Sequence, residues 1–251
     1  MAACQDIAAN QSNQGIETGD GSRQMHIIAF GDIHMAANAC RTIPGIRQAD
    51  LVLLTGDLTN FGSQREVQQV LDEVTAFNPR ILAQFGNLDR PDINEHLEQL
   101  GINLHGRGRL VDDRLCIVGM GGSNPTPFHT PSEFSEEEMM LIGTKAYQQA
   151  LDAIAAKNPA HGSRVPVLLV SHAPPANTCV DMIFDGRHVG STAVRRIIEF
   201  YQPDICVTGH IHEAKGRDSI GPTTIYNPGT LRSGGWVDIH LTNSTLHAIL
   251  Q

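Results

Sequence analysis

Short apolar runs bounded by Gly, Pro, Asn or Asp constrain the fold of this chain more than any other feature. Runs of this kind are typical of strands that are buried on both faces of a sheet. They cover residues 26–30, 51–54, 80–85, 115–119, 165–170, 204–208 and 223–226. Residues 235–241 and 245–250 resemble a terminal β-hairpin. We therefore expect the core to be built around buried β-sheet.

Helical patterns alternate with these strands. Apolar residues recur at helical spacing over about 36–46, 64–76, 92–100, 136–156 and 190–201. This order predicts an α/β protein in which mixed β-sheets stack face to face and the helices lie outside. We expect residues 25–251 to form one domain, since folds of this class often reach this size as a single unit. Residues 1–24 are rich in Gln, Asn, Ser, Gly and Asp, and we expect them to be a flexible N-terminal extension.

The composition disfavours several classes of function. The formal net charge is -9 and no basic run exceeds the pair Arg195-Arg196, so a nucleic-acid duplex is not an expected partner. No apolar stretch approaches the ~20 residues that a membrane span needs. The five cysteines are an odd number without a CxxC spacing, which suits neither a disulfide framework nor a thiolate zinc site. We expect a cytoplasmic protein, with Cys116 and Cys206 packed in the core.

Five short polar motifs follow predicted buried strands. They are Asp32-Ile33-His34, Gly56-Asp57, Gly86-Asn87-Leu88-Asp89, Ser171-His172-Ala173-Pro174 and Gly209-His210-Ile211-His212. In α/β sheets, ligands bind beyond the carboxyl ends of the strands, so these side chains are expected to meet at one rim. The glycines before Asp57, Asn87 and His210 are expected to permit sharp exits from the strands with positive φ.

Chance alone does not account for this set. In a chain of this composition, a DxH pattern is expected about once, whereas GNxD and GHxH are each expected about 0.05 to 0.08 times. The joint expectation is roughly 0.003, before order or position after a strand is required. The set therefore indicates a functional site.

The residue types predict a metal site. Imidazole, carboxylate and amide donors without a thiolate suit borderline divalent ions such as Mn, Fe or Zn. Two such ions can share a bridging carboxylate, for which Asp57 is the natural candidate. Bound cations would also let an acidic protein attract a phosphate group.

The motifs resemble those of the calcineurin-like metallophosphoesterase superfamily, over residues 32–212 and in the same order. The resemblance implies a four-layer αββα sandwich of two mixed β-sheets flanked by helices. It also implies two divalent metal ions, with Mn favoured. One ion would be bound by Asp32, His34, Asp57 and His212, and the other by Asp57, Asn87, His172 and His210. In the family pattern Asp89 orients a histidine of the first motif, here His34, which makes Asp57, Asp89 and His34 the candidate catalytic residues.

One position departs from the family pattern. Many members have a histidine between the Asn and the Asp of the third motif, where this chain has Leu88, as small phosphodiesterases of the superfamily often have a non-histidine. That histidine is usually assigned to transition-state contact or to protonation of the leaving group. His129 and His188 are candidates to replace it. No role is assigned to His26, His96, His105, His161, His240 and His247.

The resemblance implies a small phosphodiesterase, or a phosphomonoesterase, that uses in-line attack by a metal-bridging hydroxide. A non-catalytic scaffold on the same fold, a serine/threonine-type protein phosphatase and a DNA-processing enzyme are the alternatives.

Loop 121–135 is expected to border the substrate. Ser135 and Glu138 read as a capping box rather than a cation site. Arg90 is expected to form a surface salt bridge, with a phosphate contact as the alternative.

Overall fold

The computed structural model describes residues 24–157 and 164–251. The strands are β1 Met25–Phe30, β2 Leu51–Leu54, β3 Ile81–Ala83, β4 Gly108–Val111, β5 Leu115–Met120, β6 Val167–Ser171, β7 Ile205–Val207, β8 Gly216–Ile220, β9 Thr223–Asn227, β10 Val237–Thr242 and β11 Thr245–Leu250. The α-helices are α1 Gln64–Thr75, α2 Asp92–Gln99, α3 Glu136–Lys157 and α4 Thr192–Tyr201. Short 3₁₀ helices cover Ala37–Thr42, His212–Ala214 and Leu231–Ser233. The expected N-terminal extension lies outside the described residues, apart from Gln24.

Two mixed sheets contain these strands. The first has the order β11-β10-β1-β2-β3 and the second β4-β5-β6-β7-β9-β8. In the first sheet β1, β2 and β3 are parallel, and β10 joins β1 antiparallel. In the second sheet β5, β6, β7 and β9 are parallel, with antiparallel β4 and β8 at the two edges. The predicted terminal hairpin is formed by β10 and β11.

Alternation along the strands produces three apolar layers. In β1, Ile27 and Ala29 face the second sheet, whereas Ile28 and Phe30 face the layer that contains α1 and α2. Since successive side chains of a strand point to opposite faces, one strand can serve two cores. In the second sheet, Leu168 contributes to the layer between the sheets and Leu169 to the layer beneath α3 and α4. These layers confirm the predicted αββα sandwich. Cys116 and Cys206 lie in the third layer, as predicted.

Some predicted boundaries were wrong. The helix expected over 36–46 is a 3₁₀ helix that ends at Thr42, because Pro44 and Gly45 follow and Gly45 takes a φ of +78°. The edge strands β4 and β8 were not predicted. Their sequences, GRLV and GRDSI, lack the long apolar run of a central strand because an edge strand is only partly buried.

Helix starts follow capping rules. The backbone N–H of Ser135 donates to Glu138 Oε2 and the N–H of Glu138 donates to Ser135 Oγ, which confirms the predicted capping box. Ser191 caps α4 by accepting from the N–H of Val194. Among the described helices, none combines the length and the apolar character that crossing a membrane requires.

Candidate metal centre

The candidate ligands leave their strands through a constrained backbone. Asp32, His34, Asp57 and His210 have φ values of 46°, 47°, 49° and 69°, in the left-handed region that side chains rarely adopt. Such strain persists where the surrounding structure fixes it, commonly at functional sites.

The glycines before the candidate ligands are needed mainly because a side chain at these positions would clash with neighbouring atoms. Gly56 has a positive φ of +124°, as expected, but Gly86 and Gly209 do not. A Cβ on Gly86 would instead lie only 2.2 Å from both the backbone nitrogen and Oδ1 of Asp57. Gly86 is therefore required because the strand exits that carry Asp57 and Asn87 pass close to each other.

Four of the seven predicted ligands form one group. Each of Asp32, His34, Asp57 and His212 offers a ligand atom, and these atoms all lie within 4.8 Å of one another. His212 Nε2 lies 3.2 Å from Asp32 Oδ1 and 3.2 Å from His34 Nε2. The Oδ2 atom of Asp57 lies 3.9 Å from His34 Nε2.

The other three predicted ligands lie on the opposite side of Asp57. Asn87 Oδ1 lies 3.0 Å from His172 Nε2 and 2.8 Å from His210 Nδ1. Asp57 Oδ1 lies 3.5 Å from His172 Nε2. One oxygen of Asp57 thus faces each group, which is the arrangement that a bridging carboxylate needs.

The charges of the two ligand groups shift each other's pKa values. Burial lowers the pKa of His172, but the negative charges of Asp57 and Asp32 have the larger, opposite effect and raise the pKa to about 9. Burial raises the pKa of Asp57, but His172 and His34 bring it below its usual value. Burial and the charge of His172 lower the pKa of His210 to about 4. Without a cation, a proton on His172 compensates the buried carboxylates while His210 stays neutral.

The donor set fits a pair of divalent cations. Asp32 and Asp57 are buried, and among the described residues neither carboxylate forms an ion pair with a Lys or Arg. Buried carboxylates without a cationic side chain are costly unless a cation or proton compensates them. The remaining donors are imidazole nitrogens and an amide oxygen, without a thiolate, which suits borderline divalent ions.

The expected role of Asp89 is corrected by the structure. Asp89 is buried and accepts hydrogen bonds from the backbone N–H groups of Leu58, Thr59 and Gly86. Because Asp89 is occupied by these backbone groups, the partner of His34 Nδ1 is Asn60 Oδ1, at 2.8 Å. Burial and the charge of Asp57 raise the pKa of Asp89 to about 6, despite its hydrogen bonds. Asn60 was missed, although its place three residues after Asp57 was a usable signal.

A cavity of about 980 Å³ opens over the ligands. Its lining includes Asp57, Asn87, His210 and His212. One wall is formed by residues 124–128 and 130, which confirms that loop 121–135 borders the site. Residues 183–185 and 187–190 form another wall.

The two histidines considered as replacements differ in position. His188 lines the cavity, whereas His129 is exposed and is not part of the lining. Leu88 also lines the cavity, and its backbone N–H donates to Asp57 Oδ1 at 2.8 Å. Arg90 pairs with Asp92 at 3.1 Å, in agreement with the predicted surface salt bridge.

A second group with metal-binding side chains comprises His26, Asp238 and His240, on adjacent strands β1 and β10. The two imidazole rings are stacked, with centroids 4.6 Å apart and planes 4° from parallel. A metal ion lies near the plane of each imidazole that binds it, and two stacked parallel planes cannot both contain one ion. We therefore interpret the group as a cross-strand pair that shares the Asp238 carboxylate.

Comparison with known proteins agrees with this geometry. Residues 25–214 match the family model described as calcineurin-like phosphoesterase. The MJ1162 protein of Methanocaldococcus jannaschii, itself uncharacterized, is 34% identical over 214 residues, which cover 82% of this chain and 88% of that protein.

Solved structures share the fold. TT1561 of Thermus thermophilus aligns with a TM-score of 0.60 at 16% identity, over 91% of this chain and 99% of that one. The phosphopantetheinyl hydrolase PptH of Mycobacterium tuberculosis aligns with a TM-score of 0.52 at 15% identity, over 84% and 92% of the two chains. At these identities the likeness shows the fold alone.

Proposed function

Because this chain belongs to the calcineurin-like phosphoesterase family, we propose that it hydrolyses a small phosphodiester in the cytoplasm with two divalent cations. One cation would be held by Asp32, His34, Asp57 and His212, and the other by Asp57, Asn87, His172 and His210. We favour Mn²⁺ over Fe²⁺ and Zn²⁺, all of which suit these donors.

The residues of the chain have distinct tasks in this proposal. When bound, two cations lower the pKa of a coordinated water and neutralise charge on the phosphoryl oxygens. Asn60 fixes the ring of His34 through Nδ1, so that Nε2 faces the other ligands. Asp89 is a positioning residue, since it ties the backbone after Asp57 to the backbone before Asn87.

The character of the cavity wall favours a diester over a monoester. Three lining phenylalanines, Phe61, Phe128 and Phe184, are 58%, 82% and 92% exposed. Arg187 is the one Lys or Arg among the described lining residues, and it pairs with Asp185 at 2.8 Å. A diester carries one negative charge and a second organic group that can lie against the phenylalanines. A monoester dianion would find little positive charge on this wall.

The same geometry favours an enzyme over a scaffold. All seven ligand positions carry donor side chains, and these side chains meet at one place. A scaffold has no need for this convergence.

The test is hydrolysis of bis(4-nitrophenyl) phosphate against 4-nitrophenyl phosphate. Metal-stripped protein is assayed alone and with Mn²⁺, Fe²⁺ or Zn²⁺. We expect no turnover without metal, and faster turnover of the diester than of the monoester once metal is added. We expect Asp57→Asn to lose both turnover and bound metal, because its carboxylate would bridge the two cations.

The matched control is Asp152→Asn, which changes an exposed carboxylate on α3 and should behave as wild type. Faster turnover of the monoester, or folded wild-type protein that is inactive with every ion, would contradict the proposal.

A further inference from the structure

His188 and Asp181 form a built pair on the wall of the cavity. His188 Nδ1 lies 2.6 Å from Asp181 Oδ1. His188 is 40% exposed and lines the same cavity as Asp57 and Asn87, whereas Asp181 is fully buried. The pair lies outside the metal ligands and has no part in the function proposed above.

The environment of Asp181 fixes the orientation of the imidazole. Its carboxylate accepts backbone N–H groups from Asn177 at 3.0 Å, Thr178 at 2.9 Å and Gly190 at 3.0 Å. An ionised carboxylate only accepts hydrogen bonds, so His188 Nδ1 must be the donor. The Nε2 atom is then the ring nitrogen left to exchange a proton with a molecule in the cavity.

A purely structural role explains this pair less well. Asp181 already connects the backbone on both sides of its loop, at Asn177 and Gly190, without help from His188. The imidazole adds a hydrogen bond to a carboxylate that is already well supplied. Orienting a proton donor, in contrast, requires both His188 and Asp181.

We propose that His188 is the general acid that protonates the leaving oxygen of the phosphodiester, with Asp181 as its positioning residue. This inference depends on the function proposed above. The position after Asn87 is Leu88, which lines the cavity but cannot donate a proton from its side chain.

Proton transfer from His188 accompanies cleavage of the bond to the leaving oxygen. The oxygen of a hydroxide bonds to phosphorus, and the bond from phosphorus to the leaving oxygen breaks with its electron pair on that oxygen. The Nε2 proton of an imidazolium passes to the same oxygen. The products are a phosphomonoester, an alcohol and a neutral His188 that keeps its Nδ1 proton toward Asp181. Solvent restores the Nε2 proton before the next turnover.

Leaving-group dependence tests this proposal. A 4-nitrophenolate departs without a proton, whereas an alkoxide needs one. We therefore expect His188→Asn with Mn²⁺ to hydrolyse bis(4-nitrophenyl) phosphate nearly as fast as wild type. Its turnover of a dialkyl phosphate should fall on the order of 10²- to 10⁴-fold, the usual contribution of a general acid. The matched control, His129→Asn, changes an exposed histidine of loop 121–135 that does not line the cavity, and it should leave both rates unchanged.

Asp181→Asn tests the positioning role by a second readout. In metal-free wild-type protein, ¹⁵N NMR should show His188 with its proton on Nδ1, and this preference should disappear in Asp181→Asn. The variant should also lose turnover of the dialkyl phosphate more than turnover of the nitrophenyl ester.

The outcomes separate the two proposals. Equal losses on both esters in His188→Asn, or no loss on the dialkyl ester, would overturn the general-acid role while the phosphodiesterase stands. Wild-type protein that hydrolyses neither ester would overturn the phosphodiesterase and, with it, this role. Circular dichroism and metal content of each variant show whether the fold and the metal centre are intact.

Discussion

His172 shows at the scale of one residue how the metal centre is coupled to protons. Its pKa of about 9 means that the metal-free protein carries a proton on this ring at pH 7. A cation that takes the imidazole nitrogen must displace this proton. We expect Mn²⁺ binding at pH 7 to release about one proton from His172 and metal affinity to rise with pH up to about 9. Titration calorimetry in buffers with different ionisation enthalpies measures the released protons.

His172→Asn provides the comparison, since it should release about one proton fewer than wild type. Equal proton release from the two proteins would contradict the assigned protonation. In the metal-free protein, the stability that the raised pKa of His172 contributes is fully present below pH ~6.5 and declines as pH rises through about 9.

Single residues also show what sequence could and could not predict. The seven candidate ligands were predicted because each directly follows a recognisable strand, so local pattern and chemistry coincide. Asn60 was missed although its place three residues after Asp57 was a signal, and Asp181 was not predicted because its role depends on which side chain lies beside it after folding. Asp89 was given the wrong partner for the same reason. The carboxylate of Asp89 instead accepts hydrogen bonds from backbone N–H groups of two neighbouring loops.

At the scale of the element, the first residue of α3 holds the start of α4. Glu136 accepts hydrogen bonds from Ser191 Oγ at 2.7 Å and from the backbone N–H groups of Thr192 and Ala193 at 3.1 and 2.6 Å. A carboxylate at a helix N-terminus is stabilised by the free N–H groups there. We expect Glu136→Ala to lower the free energy of unfolding by about 1–3 kcal/mol, measured by urea denaturation.

Its neighbour Glu137 is exposed, and Glu137→Ala should change stability by less than ~0.5 kcal/mol. Similar losses in both variants would point to the overall charge of the helix rather than to the contact with α4.

The elements that sequence did not predict, β4 and β8, lie at sheet edges, where partial burial removes the apolar pattern.

At the scale of the whole molecule, the two sheets share one apolar layer. Ile27 and Ile239 from the first sheet meet Leu168 and Val170 from the second in this layer. The single domain over residues 25–251 stays a prediction, and its test is cooperative unfolding. We expect one transition in which fluorescence of the single Trp236, beneath the first sheet, coincides with far-UV circular dichroism.

Leu168→Ala sharpens this test because the residue lies in the second sheet. It should lower the free energy of unfolding seen by Trp236 by about 2–5 kcal/mol, since truncation leaves a cavity between the sheets. Leu151→Ala, at an exposed position on α3, is the control and should have little effect. If Leu168→Ala left the free energy of unfolding reported by Trp236 unchanged, the two sheets would unfold separately.

The left-handed backbone at Asp32, His34, Asp57 and His210 has an evolutionary consequence. Glycine adopts this conformation freely, whereas other residues lose of order 1 kcal/mol in it. A lineage released from selection for metal binding could relax this strain with glycine, while losing side-chain contacts such as the hydrogen bonds that Asp32 accepts from the His210 backbone N–H. Metal binding is the benefit that would offset the strain of keeping side chains at all four positions.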